Sequence, residues 1–98
     1  MHDTVIRGGT LIDGSGEPRR TADVAIDGAL VTEVGSVAGK GHEEIDAGGL
    51  LVTPGFVDIH THYDGQVTWD PLLEPSFWHG VTTVVMGNCG FTLAPCRE

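Results

Sequence analysis

His60 and His62 are the residues of this sequence best suited to chemistry, because they lie one residue apart after the largely apolar run PGFVDI at residues 54–59. In a β-strand the side chains repeat every two residues, so the two imidazoles would point to the same side, roughly 6–7 Å apart. Paired neutral imidazoles commonly bind a metal ion. The pair therefore indicates a metal site at the end of a strand.

Cys89 is the second kind of candidate ligand. It follows the β-branched run VTTVVM at residues 81–86, within the turn sequence Gly-Asn-Cys-Gly, and its spacing from His60 is about that of one β-crossover-β unit. Adjacent parallel strands would bring His60, His62 and Cys89 to one rim, and a thiolate with two imidazoles suits Zn²⁺. On these residues alone, a buried and inert thiol remains the alternative for Cys89.

Two strands must position these ligands. Apolar residues on both faces of residues 56–61 predict a strand buried on both sides, as in a parallel α/β sheet, with the histidines at its carboxyl end. Residues 81–86 predict the neighbouring strand. Between the two strands, Pro75 could start a short helix and Gly80 could end it.

The preceding residues, 1–52, predict a small β-sheet module without a cluster of chemically active side chains. Asp27-Gly28 is a strong hairpin signal, and the Thr53-Pro54-Gly55 sequence marks the boundary to the next segment. His2 lies in a polar stretch and is expected to be exposed. The predicted strands lie at residues 4–7, 10–12, 22–26, 30–34, 44–46 and 50–52.

Further polar residues flank the predicted ligands. Tyr63, Asp64 and Gln66 follow the histidines on an expected loop at the catalytic rim, which makes them candidates for substrate contact. Asp58 lies on the ligand face and either orients the site or is an ordinary structural carboxylate. Asn88 is expected to form a turn rather than to act in catalysis.

Charge and targeting signals narrow the partners and the compartment. The formal charge of −9 disfavours nucleic acid and anionic membrane surfaces, since both would repel the chain. No apolar run is long enough for a membrane span, and the N-terminus lacks the regions of a signal peptide, which predicts a cytoplasmic protein. Cys89 and Cys96 are therefore expected to be reduced, with Cys96 a free thiol.

The run PGFVDIHTH at residues 54–62 resembles the first-strand signature of the amidohydrolase superfamily, and GNCG at residues 87–90 resembles its N-acyl-D-amino-acid deacylase (D-aminoacylase) branch. The resemblance implies a mixed β then α/β fold. Residues 1–52 would form the N-terminal half of a small β-sandwich, and residues 53–98 the first two strands of a (β/α)8 barrel. Such a barrel needs about 250 residues, so the sequence is expected to be the N-terminal piece of a longer enzyme.

The resemblance also implies chemistry. It implies a zinc-dependent hydrolase that cleaves a small-molecule N-acyl-D-amino acid into a carboxylate and a D-amino acid. Cys89 would be a principal zinc ligand, and His60 and His62 would line a second, weaker metal position. The carboxylate that serves as general base would lie beyond residue 98.

Two alternatives stay open. A cyclic-amide hydrolase of the hydantoinase or dihydroorotase kind would share the His-x-His strand, although those relatives resemble one another in lacking the cysteine ligand. The chain could also be a non-catalytic β-rich module. Later histidines and an aspartate at strand ends, in an extended reading frame, would discriminate between the enzyme and the module.

Overall fold

A computed structural model describes residues 1–90. Contacts between residues divide the chain into two units, Met1–Pro54 and a second unit that begins at Gly55. The first unit is a five-stranded sheet with β1 at its centre. β2 pairs with β1 antiparallel and carries β3 on its outer edge, while β4 and β5 both pair with β1 in parallel. The strands are β1 (His2–Leu11), β2 (Arg20–Asp27), β3 (Leu30–Gly35), β4 (Gly41–Asp46) and β5 (Leu51–Val52).

The hairpin predicted at Asp27-Gly28 is confirmed, since β2 ends at Asp27 and the antiparallel strand β3 begins at Leu30. Gly28 has a φ of 59°, a backbone conformation that residues with a side chain rarely adopt. The two short strands predicted at 4–7 and 10–12 are instead one strand. The register of β1 against β2 shifts between Ile6 and Gly9, so the Gly8-Gly9 pair forms an irregularity within a continuous strand rather than a break.

Apolar side chains pack on both faces of this sheet. One buried cluster consists of Val5, Ala25 and Val37. On the other face, Leu11, Ala22 and Val24 are buried, and further apolar residues line an open groove of about 420 Å³. The residues lining the groove include Ile6, Ile26, Val31, Val34 and Val52.

The second unit is built on a two-stranded parallel sheet. Its elements are β6 (Phe56–Asp58), the short helix α1 (Tyr63–Gln66), a 3-10 helix (Ser76–His79) and β7 (Val81–Val84). The adjacent parallel strands and the short helix predicted between Pro75 and Gly80 are confirmed. Gly80 ends that helix in the left-handed conformation, with a φ of 84°.

The prediction of a strand buried on both faces is wrong for this chain. Strand β6 ends at Asp58, before both histidines, and Phe56, Val57 and Ile59 are 59%, 58% and 64% exposed. A parallel sheet is buried by the helices that cover its faces. Residues 55–90 supply only one four-residue α-helix and one 3-10 helix. None of the helices within residues 1–90 is long and apolar enough to cross a bilayer.

Candidate metal site

Three side chains with metal-binding atoms meet beside the ends of β6 and β7. One donor atom from each of His60, His62 and Cys89 lies within 4.8 Å of the others. The two imidazole rings are stacked, with centroids 5.9 Å apart and planes inclined by 23°. The structure therefore brings together the three residues that the sequence singled out as ligands.

The strand pairing explains how residues distant in sequence come together. Asp58 pairs with Val84 at the ends of the two parallel strands, and the Val85 amide donates a hydrogen bond of 2.8 Å to the Asp58 carbonyl. Both chain segments then turn at the same edge of the sheet. The histidines follow on one side and Cys89 follows on the other.

Asp58 makes a local hydrogen bond at the end of β6, and the choice between its two predicted roles stays a prediction. Its Oδ1 accepts a hydrogen bond of 3.1 Å from the amide of His60. This local turn bends the chain immediately after β6. The bond therefore joins Asp58 to the backbone of the first histidine.

The chemistry of the donor set fits zinc. Two imidazole nitrogens and one thiolate sulfur are ligands that Zn²⁺ accepts, and ligand atoms on one tetrahedral zinc lie roughly 3.3–3.8 Å from one another. Donors within 4.8 Å need only small side-chain rotations to reach that spacing. In the structure of residues 1–90, all three side chains are exposed to solvent, and Cys89 is a free cysteine. Cys96, expected as a free thiol, lies outside the described residues.

The three predicted substrate residues direct their polar groups into the protein. Tyr63 is buried, and its hydroxyl donates a hydrogen bond of 2.7 Å to the Leu73 carbonyl. Asp64 is also buried, and its Oδ2 accepts from the Gly87 amide at 2.9 Å. This geometry favours roles in holding the loops, and substrate contact by Tyr63, Asp64 and Gln66 stays a prediction.

Gln66 and Asp70 fasten the loop that follows α1. The Gln66 amide donates to Asp70 Oδ2 at 2.8 Å and to the Glu74 carbonyl. The bond from Gln66, together with backbone amides of the loop, lowers the pKa of Asp70 below its ordinary value. Asp70 therefore stays ionised and holds the loop through three backbone amides, those of Leu72, Leu73 and Glu74.

Sequence reasoning missed two residues beside the donors. The Asn88 side-chain amide donates a hydrogen bond of 2.7 Å to the Ile59 carbonyl, and the Thr61 hydroxyl donates one of 2.9 Å to the Val85 carbonyl. Both bonds join the histidine segment to the cysteine segment. The turn predicted at Asn88 is confirmed, since the Gly90 amide donates a hydrogen bond of 3.1 Å to the Gly87 carbonyl. The bond from Asn88 to the other segment is what the sequence did not indicate, and its position next to Cys89 was the available signal.

The family of the chain follows from its sequence. A sequence model of the amidohydrolase family matches residues 43–96, more than half of the chain, and this range contains both histidines and Cys89. The chain belongs to the amidohydrolase family. This amidohydrolase chain is 48% identical, over 94 residues, to an N-acyl-D-aspartate deacylase of Alcaligenes xylosoxydans xylosoxydans. The match covers 95% of the chain and 19% of that relative, so the chain spans about one fifth of the relative's length.

Solved structures agree with this assignment. A D-aminoacylase with a binuclear metal centre matches with a TM-score of 0.90 and 41% identity, over 100% of this chain and 21% of that one. N-acyl-D-glutamate deacylase from Bordetella bronchiseptica, complexed with zinc and a phosphonate inhibitor, matches with a TM-score of 0.89 and 40% identity, over 99% of this chain and 21% of that one. The predicted resemblance to the N-acyl-D-amino-acid deacylase branch is confirmed, and the mixed, β-rich fold aligns with that of D-aminoacylases.

Proposed function

We propose that the protein carrying this amidohydrolase chain is a zinc-dependent hydrolase of linear amides that converts an N-acyl-D-amino acid into a carboxylate and a D-amino acid. The observation that carries the proposal is the meeting of His60, His62 and Cys89, whose donor atoms lie within 4.8 Å of one another. The similarity to deacylases over nearly the whole chain supports the choice of reaction.

The proposed metal ligands are Cys89, His60 and His62. Cys89 would bind as a thiolate, and ligation would displace its proton. His60 and His62 would bind as neutral imidazoles through one ring nitrogen each. Following the resemblance, Cys89 is a principal ligand and the histidines line a second metal position. The binuclear metal centre of the D-aminoacylase that this chain resembles supports a site with room for two ions.

A bound zinc ion supplies Lewis-acid chemistry, since it lowers the pKa of water and polarises an amide carbonyl. The chain's own residues hold the donors at one edge of the β6–β7 sheet. We assign the general base to no residue of this chain.

The substrate carries a carboxylate, and its positive partner must come from outside the second unit's described residues. Residues 55–90 contain neither lysine nor arginine. An anionic substrate bound near Cys89 therefore depends on the charge of the metal, or on cationic residues elsewhere in the protein, for electrostatic complementarity. This requirement is met more simply by a metal-loaded site than by the polypeptide alone.

The finer fold assignment belongs to the same proposal. Residues 1–52 would be the N-terminal half of a small β-sandwich, and residues 53–98 would contribute the first two strands of a (β/α)8 barrel. The parallel pairing of β6 and β7 supports the barrel assignment, because barrels of this kind place their chemistry after the carboxyl ends of parallel strands. The open apolar groove of about 420 Å³ in the first unit supports a sheet that needs a second layer.

The test is hydrolysis by the zinc-loaded protein of N-acetyl-D-aspartate, N-acetyl-D-glutamate and N-acetyl-D-leucine, with their L enantiomers and hydantoin as comparison substrates. We expect release of a D-amino acid, with loss of activity after chelation and recovery with zinc. Cys89→Ala should remove activity together with bound zinc. Preferred opening of hydantoin would favour the cyclic-amide alternative, and zinc binding without any hydrolysis would contradict the proposal.

A further inference from the structure

The segments that carry the donors are joined by hydrogen bonds from side chains to the backbone. Residues 59–64 contain both histidines, and residues 85–89 contain Cys89. We call the three side chains that make these bonds the clasp. The bonds run from Thr61 Oγ1 to the Val85 carbonyl (2.9 Å), from Asn88 Nδ2 to the Ile59 carbonyl (2.7 Å) and from the Gly87 amide to Asp64 Oδ2 (2.9 Å).

The position of the clasp relative to the donors is informative. Thr61 lies between the two histidines, and Asn88 immediately precedes Cys89. The bond from Asn88 ends on Ile59, the residue before His60. The bonds of Thr61 and Asn88 therefore each start or end one residue away from a proposed ligand, and the bond between Gly87 and Asp64 joins residues two positions away from one.

The strand ladder does not reach the donors. β6 ends at Asp58 and β7 ends at Val84, so the ligands lie in turns beyond the regular pairing. Turns of this kind are less restrained than strands, and an unrestrained donor set loses conformational freedom when it chelates a metal. Across the gap between the two turns, the clasp supplies the restraint that backbone pairing supplies within the sheet.

The two ends of the clasp have different surroundings. Thr61 is 6% exposed and Asp64 is 4% exposed, so their bonds lie inside the second unit. Asn88 is exposed and competes with water for its bond. An exposed amide contributes little to the stability of a fold. An effect of Asn88 on metal affinity can therefore be measured separately from an effect on the free energy of unfolding.

We infer that Thr61 and Asn88 are positioning residues, which set the distance between the Cys89 sulfur and the histidine nitrogens before a metal binds. The inference rests on the proposed metal site and extends it to side chains that donate nothing to the ion. Partners that orient metal ligands typically change metal affinity by about 10- to 100-fold when they are removed.

The test is titration of the metal-free protein with Co²⁺ alone, monitored by the thiolate-to-cobalt charge-transfer band. Asn88→Ala and Thr61→Val should each weaken Co²⁺ binding by about 10- to 100-fold and change the intensity of the band. Asn88→Gln retains an amide donor and should recover part of the affinity. Thr68→Val is the matched control, because it removes a hydroxyl bond of 2.8 Å to the Gly65 carbonyl within one segment.

Unfolding of the metal-free variants in urea separates positioning from general damage. Both tryptophans, Trp69 and Trp78, lie after Gly55, so their fluorescence reports on the second unit. We expect the midpoint of Asn88→Ala to match that of the unchanged protein while its Co²⁺ affinity falls. Should Thr61→Val fail to fold, the Asn88 pair of variants still decides the question.

The outcomes distinguish this inference from the proposed function. Binding to Cys89→Ala is measured by equilibrium dialysis, because that variant lacks the thiolate band. Unchanged Co²⁺ affinity in Asn88→Ala, with loss of binding in Cys89→Ala, would overturn the positioning role and leave the proposed ligands standing. Equal losses in Asn88→Ala and in the Thr68→Val control would also overturn it. Unchanged binding in Cys89→Ala would instead remove the proposed metal site itself.

Discussion

Asp27, the last residue of β2, has a carboxylate that accepts several hydrogen bonds. It accepts bonds from the Thr32 hydroxyl, from the ring of His2 at 2.8 Å and from the Asp3 amide at 3.1 Å. The bond from Thr32, followed by that from His2, lowers the pKa of Asp27 from its ordinary value of 3.8 to about 2. The charged form of Asp27 is therefore favoured in the folded state.

This shift has a defined effect on stability. Because the folded pKa lies below the ordinary value, unfolding takes up a proton between about pH 4 and pH 2, so the stability that Asp27 contributes above pH 4 is lost as the pH falls through this window. Asp27→Asn should flatten the fall in unfolding free energy across the window, and Thr32→Val should do so in part. Urea unfolding monitored by far-ultraviolet circular dichroism at several pH values measures this slope. Slopes parallel to that of the unchanged protein would contradict the prediction.

Residue types and spacing located the donors but not the residues that hold them. His60, His62 and Cys89 were recognisable because imidazole and thiolate groups have few roles other than chemistry and because their spacing fits adjacent strands. Asn88 bonds to a carbonyl across a sheet edge, and no local pattern encodes such a contact. His2 was expected to be exposed, but antiparallel pairing of β1 with β2 brings it to Asp27.

At the scale of the elements, Gly55 lies immediately before β6 and close to Thr82 of β7. A Cβ atom at Gly55 would lie 2.2 Å from the side chain of Thr82, and the three nearest atoms all belong to that side chain. Such a distance forces the neighbouring chain to move. A residue without a side chain is therefore required where β6 begins, next to the strand that leads to Cys89.

Gly55→Ala should destabilise the second unit by about 1–3 kcal/mol, because it introduces a clash between two paired segments. Thr82→Gly removes the clashing atoms. The double variant should therefore lose less unfolding free energy than the sum of the losses in the two single variants. Urea unfolding followed by tryptophan fluorescence measures the four corners of this double-mutant cycle. Strict additivity of the two substitutions would show that the close approach has no energetic consequence.

Elements were predictable where their pattern is local. The β2–β3 hairpin followed from Asp27-Gly28, and the short 3-10 helix followed from Pro75 and Gly80. The length of β6 did not, because apolar residues indicate the burial that a complete sheet would give, whereas residues 55–90 leave Phe56 and Val57 exposed. Burial depends on layers that a run of residues cannot itself contain.

At the scale of the whole molecule, the charge of the chain suits a cation more than an anion. Fourteen acidic residues oppose five basic ones, and Arg97 is the only lysine or arginine after residue 54. A net charge of −9 raises the local concentration of divalent cations, and salt screens this effect. The charge of the chain therefore favours the approach of a divalent cation, and under the proposed function the bound metal would in turn favour the approach of an anionic substrate.

The central claim is that Cys89, His60 and His62 line a zinc site in which Cys89 is a principal ligand, and X-ray absorption at the zinc edge of the zinc-loaded protein tests it most directly. The expected result is a first shell with one sulfur at about 2.3 Å and nitrogen atoms at about 2.0–2.1 Å, with little zinc retained in Cys89→Ala. A first shell of nitrogen and oxygen alone in the unchanged protein would contradict the claim.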